Sequence, residues 1–150
     1  MDTSTTRPLT EAERGWVDAQ VNMAAFLVGA ACPDLAGGAV TLDALDRGFR
    51  VWAEAARRAP LMAQSGLQAF GVALGRVLVD NLGFAWCVVE ANGRTELAVT
   101  HGDGAQLVRP VAHLEASWAR GEAPSFAETY AALERALWAA RRRGADVLDN

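Results

Sequence analysis

Phe84-Ala85-Trp86-Cys87-Val88-Val89-Glu90-Ala91-Asn92-Gly93-Arg94-Thr95-Glu96-Leu97-Ala98-Val99-Thr100-His101 is the stretch whose reading decides the fold. Its first seven residues are apolar at almost every position, the mark of a strand covered on both faces. Asn92-Gly93 is the strongest short hairpin signal, because both central residues of a type I′ turn need positive φ. Counting outward from that turn sets Ala91 against Arg94, Glu90 against Thr95, Val88 against Leu97, Trp86 against Val99 and Phe84 against His101. The large apolar residues of this alternate set share one face, and a slip of one residue would turn them all outward. Gly102-Asp103-Gly104 forms a second turn, and Gln106 to Arg109 a short third strand stopped by Pro110, as fits an edge. The expectation is a three-stranded antiparallel meander.

On either side the apolar period changes to that of a helix. Thr10 and Glu13 have capping-box spacing, and Trp16, Met23 and Leu27, with Ala19 and Ala30 in the same row, predict the inner stripe of a first helix that ends before Pro33. Thr41 caps a second, in which Leu42, Leu45, Phe49, Trp52 and Ala56 oppose charged residues until Pro60. A third runs to Leu82 with Leu67, Phe70, Leu74, Val77 and Leu78 inward and Gly83 as its C′ residue. Gly71 and Gly75 on that helix each cost about 1 kcal/mol in propensity, so a close neighbour should offset them. Beyond the meander, Val111, Leu114 and Trp118 predict a short helix. Ser125 and Glu128 repeat the capping-box spacing ahead of a stripe of Phe126, Tyr130, Leu133, Leu137 and Ala140. Arg141-Arg142-Arg143 complements the dipole of that last helix, and Gly144 is expected to stop it. The sum is an α+β fold in a single domain over residues 1–150: three N-terminal helices, the meander and two C-terminal helices, with residues 1–9 a disordered or extended arm and 144–150 a tail.

Composition removes several function classes. The 150 residues are 51% hydrophobic and 21% charged, with a formal net charge of −4, which argues against binding nucleic acid by phosphate neutralisation. All 14 basic residues are arginine, so a P-loop lysine and a Schiff-base lysine are excluded. The polar start lacks the apolar stretch of a secretory signal, and the Met23–Cys32 run is about half a membrane span. Cys32 and Cys87 have no metal or disulfide spacing; Cys87 reads as packed and Cys32, before Pro33, as more exposed. A cytoplasmic location follows as an expectation. The 31 alanines, the absence of isoleucine and the use of Arg for Lys point to a GC-rich bacterial genome.

Candidate chemistry is sparse. His101 with Asp103 on a glycine-rich turn is material for general acid–base catalysis, although a turn alone also explains Gly and Asp there. His113 reads as solvent-facing, and His101, His113 and Glu115 match no metal motif. Trp138 lies off its helix's apolar stripe beside arginines, the composition of an interaction hot spot, so Trp138, Arg135 and Arg142 form the candidate binding surface. No cofactor is expected.

The spacing Gly71-x3-Gly75-x3-Leu78-Val79-x3-Gly83-Phe84-x-Trp86-x-Val88-Val89-Glu90, with Gly93, Pro110 and Gly121-Glu122 after it, resembles the bacterial family known as domain of unknown function 3806 over residues of about 71–133. The resemblance implies a helix, β-meander, helix arrangement and carries no activity. Where members of that family often have a basic pair before the Gly-Glu, Ala116-Ser117 stand here. The leading functional expectation is a non-catalytic protein-binding module of the inhibitor or immunity type, with a homo-oligomer open. The alternatives are a small hydrolase or isomerase using His101 and Asp103, and an apolar-ligand binder between the third helix and the sheet where Gly71 and Gly75 would open a cavity.

Overall fold

A computed structural model describes residues 4–102 and 104–148, with side chains through residue 144. In chain order the elements are β1 (Thr5–Arg7), α1 (Glu11–Ala31), a 3₁₀ turn (Pro33–Leu35), α2 (Leu42–Arg58), α3 (Pro60–Leu82), β2 (Ala85–Ala91), β3 (Arg94–His101), β4 (Gln106–Val108), α4 (Pro110–Ala119) and α5 (Phe126–Leu148). This is the α+β class, with one more strand than the sequence led us to expect.

The hairpin has the expected register. Ala91 pairs with Arg94, Val88 with Leu97 and Trp86 with Val99, and Asn92 and Gly93 take φ of 53° and 74°. Regular pairing stops at Ala85 and Thr100, so Phe84 and His101 meet as rings 5.4 Å apart rather than as a backbone pair. The sheet order is β1-β2-β3-β4, antiparallel throughout. Within the N-terminal arm, residues 5–7 are therefore extended and paired as a strand. The exposed edge of β2 offers unpaired backbone groups, and Arg7 fixes the pairing by donating to Glu90 on β2 at 2.8 Å and to Glu13 on α1 at 2.7 Å. Glu13 is also the reciprocal member of the Thr10 capping box.

One face of the sheet packs on helices. Val88 joins Leu9, Val17 and Val72, and Val99 joins Leu78, Phe84 and Leu137. On the other face Cys87, Val89 and Ala98 form a small buried cluster, spanned by the Arg109–Glu96 ion pair at 2.8 Å. The main core lies among the helices, where Phe49 stacks edge-on against Phe70 and Phe126 and tilts against Trp52. All three phenylalanines are fully buried, each worth about 1.5–3 kcal/mol in transfer free energy.

The glycines of α3 have the close neighbours their cost implied. A Cβ on Gly71 would stand 2.7 Å from the Cα of Val111, and one on Gly75 would overlap the Trp86 ring edge and lie 3.2 Å from Pro110 Cγ. The seam between α3 and the sheet is filled by Trp86, Pro110 and Val111 at these glycines, so the cavity that the apolar-ligand reading placed at Gly71 and Gly75 does not open there.

Three further expectations are corrected. The buried row of α1 is Val17, Ala24 and Val28, whereas Trp16 is 39% exposed and Met23 48%. Close approach is the reason: a Cβ on Gly48 of α2 would stand 2.6 Å from Val28 Cγ2, leaving room there only for small and β-branched side chains. Cys32 is buried rather than exposed. Gly144 does not end α5, which continues to Leu148. Without a left-handed turn at Gly144, its propensity cost of about 1 kcal/mol is too small to break a helix. At the α5 N-terminus Ser125 Oγ accepts from the Glu128 amide at 3.2 Å, as the spacing predicted, and Asp46 of α2 adds a cap the sequence did not show, accepting from the amides of Phe126 at 2.6 Å and Ala127 at 3.2 Å.

Gly71→Ala tests the seam. Alanine gains about 1 kcal/mol in helix propensity but meets backbone that cannot rotate away, an overpacking cost of about 1–3 kcal/mol. We expect a net loss of about 1 kcal/mol in urea unfolding, and stabilisation would contradict it. A second prediction concerns acid. Hydrogen bonds from the Arg7 guanidinium, then from the Thr10 amide, hold the Glu13 carboxyl at about 2, below its ordinary 4.5. A lowered carboxyl contributes stability that is complete above about pH 4.5 and lost as pH falls toward 2. Glu13→Gln should be less stable than wild type at neutral pH, with the gap closing toward pH 2. A gap independent of pH would refute that.

Candidate binding cleft

Three chain segments converge where the α+β layers meet. Gly83 ends α3 in the left-handed conformation at φ 77° and turns the chain into β2. This puts Asn81, Leu82 and Gly83 at the mouth of a cleft of about 390 Å³. The last residue of β3, His101, supplies a second wall. Its Nε2 lies 3.7 Å from where a Cβ on Gly83 would be, and its ring tilts 59° to Phe84. The third wall is α5, whose Glu134, Leu137, Trp138 and Arg141 recur at three and four residues and so share one helix face. Leu137 is buried with Leu78, Phe84 and Val99, which anchors α5 to the sheet. Trp138 one residue later is 57% exposed at the rim, with the Arg141 guanidinium carbon 5.6 Å from its ring centroid.

Two separate sequence candidates, His101 and Trp138, thus meet in one cleft. Arg135 and Arg142 are exposed on the neighbouring stripe of α5 and do not line it; Arg141 takes the place beside the indole. Asp103 lies outside the described residues. Among the described residues no side-chain hydrogen bond to the His101 imidazole is formed. His113 is exposed on α4. Among the described residues no group of three His, Cys, Asp or Glu side chains is placed to hold a metal, so His101, His113 and Glu115 do not converge. Burial pushes the Cys87 thiol up, against a weaker opposing pull from Arg109. It is held as a neutral thiol, a poor nucleophile.

A second cleft, of about 400 Å³, escaped the sequence reading. Leu9, Val17 and Trp86 line it together with Arg14, Asp18 and Arg76, and Arg76 is ion-paired to Asp18. Its walls come from the β1–α1 junction, α3 and β2, brought together by the packing of α1 on α3 and the pairing of β1 with β2. No local signal marks it.

Among the described residues no helix is long and apolar enough to cross a membrane. The chain is similar in fold to a protein from Bacteroides thetaiotaomicron VPI-5482 whose crystal structure was determined at 1.50 Å: TM-score 0.71, 12% identity, 87% of this chain covered and 47% of that one. The chain spans about half the length of that structure, and at this identity the likeness concerns fold alone. No curated protein matches the chain. A family model described as a domain of unknown function, DUF3806, matches residues 54–130, from the second half of α2 through the meander and α4 into α5. That is just over half of the sequence, and it spans most of the residues whose spacing carried the resemblance: the chain belongs to the DUF3806 family.

Proposed function

We propose that the chain is a bacterial cytoplasmic, non-catalytic binding module that receives a protein partner at the Trp138 cleft, in the manner of an inhibitor or immunity protein. The observation that carries this reading is an indole left 57% exposed at the rim of a largely polar cleft, next to Leu137, which is buried against the sheet. An exposed Trp beside Arg is the composition of binding hot spots, since burying the ring on association releases water from a large rigid surface. Glu134 and Arg141 add one charge of each sign at the rim, which favours orientation of a partner over raw affinity. The two cysteines are unbridged and buried, which is compatible with a reducing compartment.

Quantitative affinity capture from the source cells tests the reading, with Trp138→Ala and Arg141→Glu set beside Leu61→Ala, a fully exposed residue at the start of α3. Wild type and Leu61→Ala should retain the same stoichiometric partner. Trp138→Ala should weaken it about tenfold or more, the 1.4 kcal/mol or greater expected of a hot spot. Its folding stability should shift by less than about 0.5 kcal/mol, because the ring is a surface group. A partner held equally by all four proteins, or none held by wild type, would overturn the proposal.

A further inference from the structure

The outward face of α1 is built for contact. Ala12, Trp16, Ala19, Met23, Phe26 and Ala30 fall within about 80° of the helix circumference, and all six are exposed. The row carries no charge over its whole length, and Phe26 is 70% exposed. It is turned about 140° from the buried row of Val17, Ala24 and Val28. Trp16, Met23 and Phe26 therefore point away from the protein's own core.

Each end of this ridge is flanked by a groove, on opposite sides. Beside Trp16, a groove of about 180 Å³ is lined by Glu13, Val88, Thr95, Glu96 and Leu97. Beside Phe26, one of about 430 Å³ is lined by Ala25, Gly29, Ala30, Ala36 and Gly37, all small. Around the helix Glu13 lies on one flank of the ridge, and Ala25 and Gly29 on the other. A helix crossing diagonally over the ridge would pass over both grooves.

We infer that the occupant is a second copy of this chain, its α1 packed antiparallel and crossed over the first about a two-fold axis near Ala19 and Met23. In that pairing Ala19 faces the partner's Met23, a small residue against a large one. The partner's Trp16 reaches the groove of small residues beside Phe26, and its Phe26 reaches the groove beside Trp16. A two-fold interface needs one patch that complements itself, and this one offers knobs and holes in reversed order along a single helix. The area is consistent: Trp16, Met23 and Phe26, 39%, 48% and 70% exposed, present on the order of 300 Å² per copy. Doubled, this approaches the apolar share of the smallest stable interfaces, roughly 700 Å².

Sedimentation equilibrium on the full chain tests the inference. Wild type should show a monomer–dimer equilibrium, and Met23→Glu should be monomeric over the same range with unchanged circular dichroism, because the residue is exposed. Phe26→Glu supplies a second variant should the first misfold. A spin label on Ala12→Cys, with the native Cys32 and Cys87 buried, reads the orientation. Antiparallel pairing sets the two labels about 27 Å apart along the helices, against about 10 Å for parallel pairing. Wild type monomeric up to about 1 mM, a dimer that survives both glutamate variants, a short label distance, or a different protein or a further segment of a longer chain found on this face would each overturn it.

Discussion

The edge of the Trp86 indole rests against Gly75 on α3, with Pro110 closing the other side. Helix and sheet approach this closely only because α3 carries no side chain at that point. The same approach recurs one turn earlier, where Gly71 meets the backbone of Val111. Two residues that weaken an isolated helix thereby set how closely α3 approaches the sheet and α4. The registered hairpin, folded back at Asn92-Gly93, does the rest by presenting Trp86, Val88 and Val99 on the same face.

That seam also places the candidate cleft. With β2 held against α3, the turn at Gly83 and the end of β3 lie side by side, and His101 comes to rest over Gly83. Leu137 of α5 docks on the Leu78, Phe84 and Val99 surface that results, leaving Trp138 and Arg141 at the rim. The cleft is thus a by-product of layer packing in which the polar groups belong to rigid elements. α1 has a different relation to the core. Close to α2 at Gly48 it presents Val28, its fully buried positions are Val and Ala, and Trp16, Met23 and Phe26 face the outer surface.

Much of this was legible where two local signals agreed. The Asn-Gly turn and the alternation around it gave the register, and Pro60 and Gly83 gave the boundaries of α3. The paired glycines foretold a close neighbour without naming it. The sequence misled where competing apolar rows ran along one helix. In α1, size suggested Trp16, Met23 and Leu27 as the inner stripe; Leu27 does pack on the core, but Val17, Ala24 and Val28 are buried in place of Trp16 and Met23. β1 is too short to show a period, and its placement depends on Arg7 reaching two carboxylates 6 and 83 positions away. The Asp46 cap on α5 spans 80 residues and could not be read locally. At the cleft, His101 and Trp138 were each visible from local pattern, but their meeting is a tertiary fact, as is the choice of Arg141 over Arg135 and Arg142.

The claim beneath all of this is that Gly75 is required by Trp86 and not by the helix. A double-mutant cycle in urea unfolding between Gly75→Ala and Trp86→Leu measures it directly. With Trp86 present, the alanine should cost about 1–2 kcal/mol; with leucine there, the clash is relieved, and the same change should be neutral or stabilising by up to about 1 kcal/mol, the propensity gain. An equal cost in both backgrounds would contradict the account.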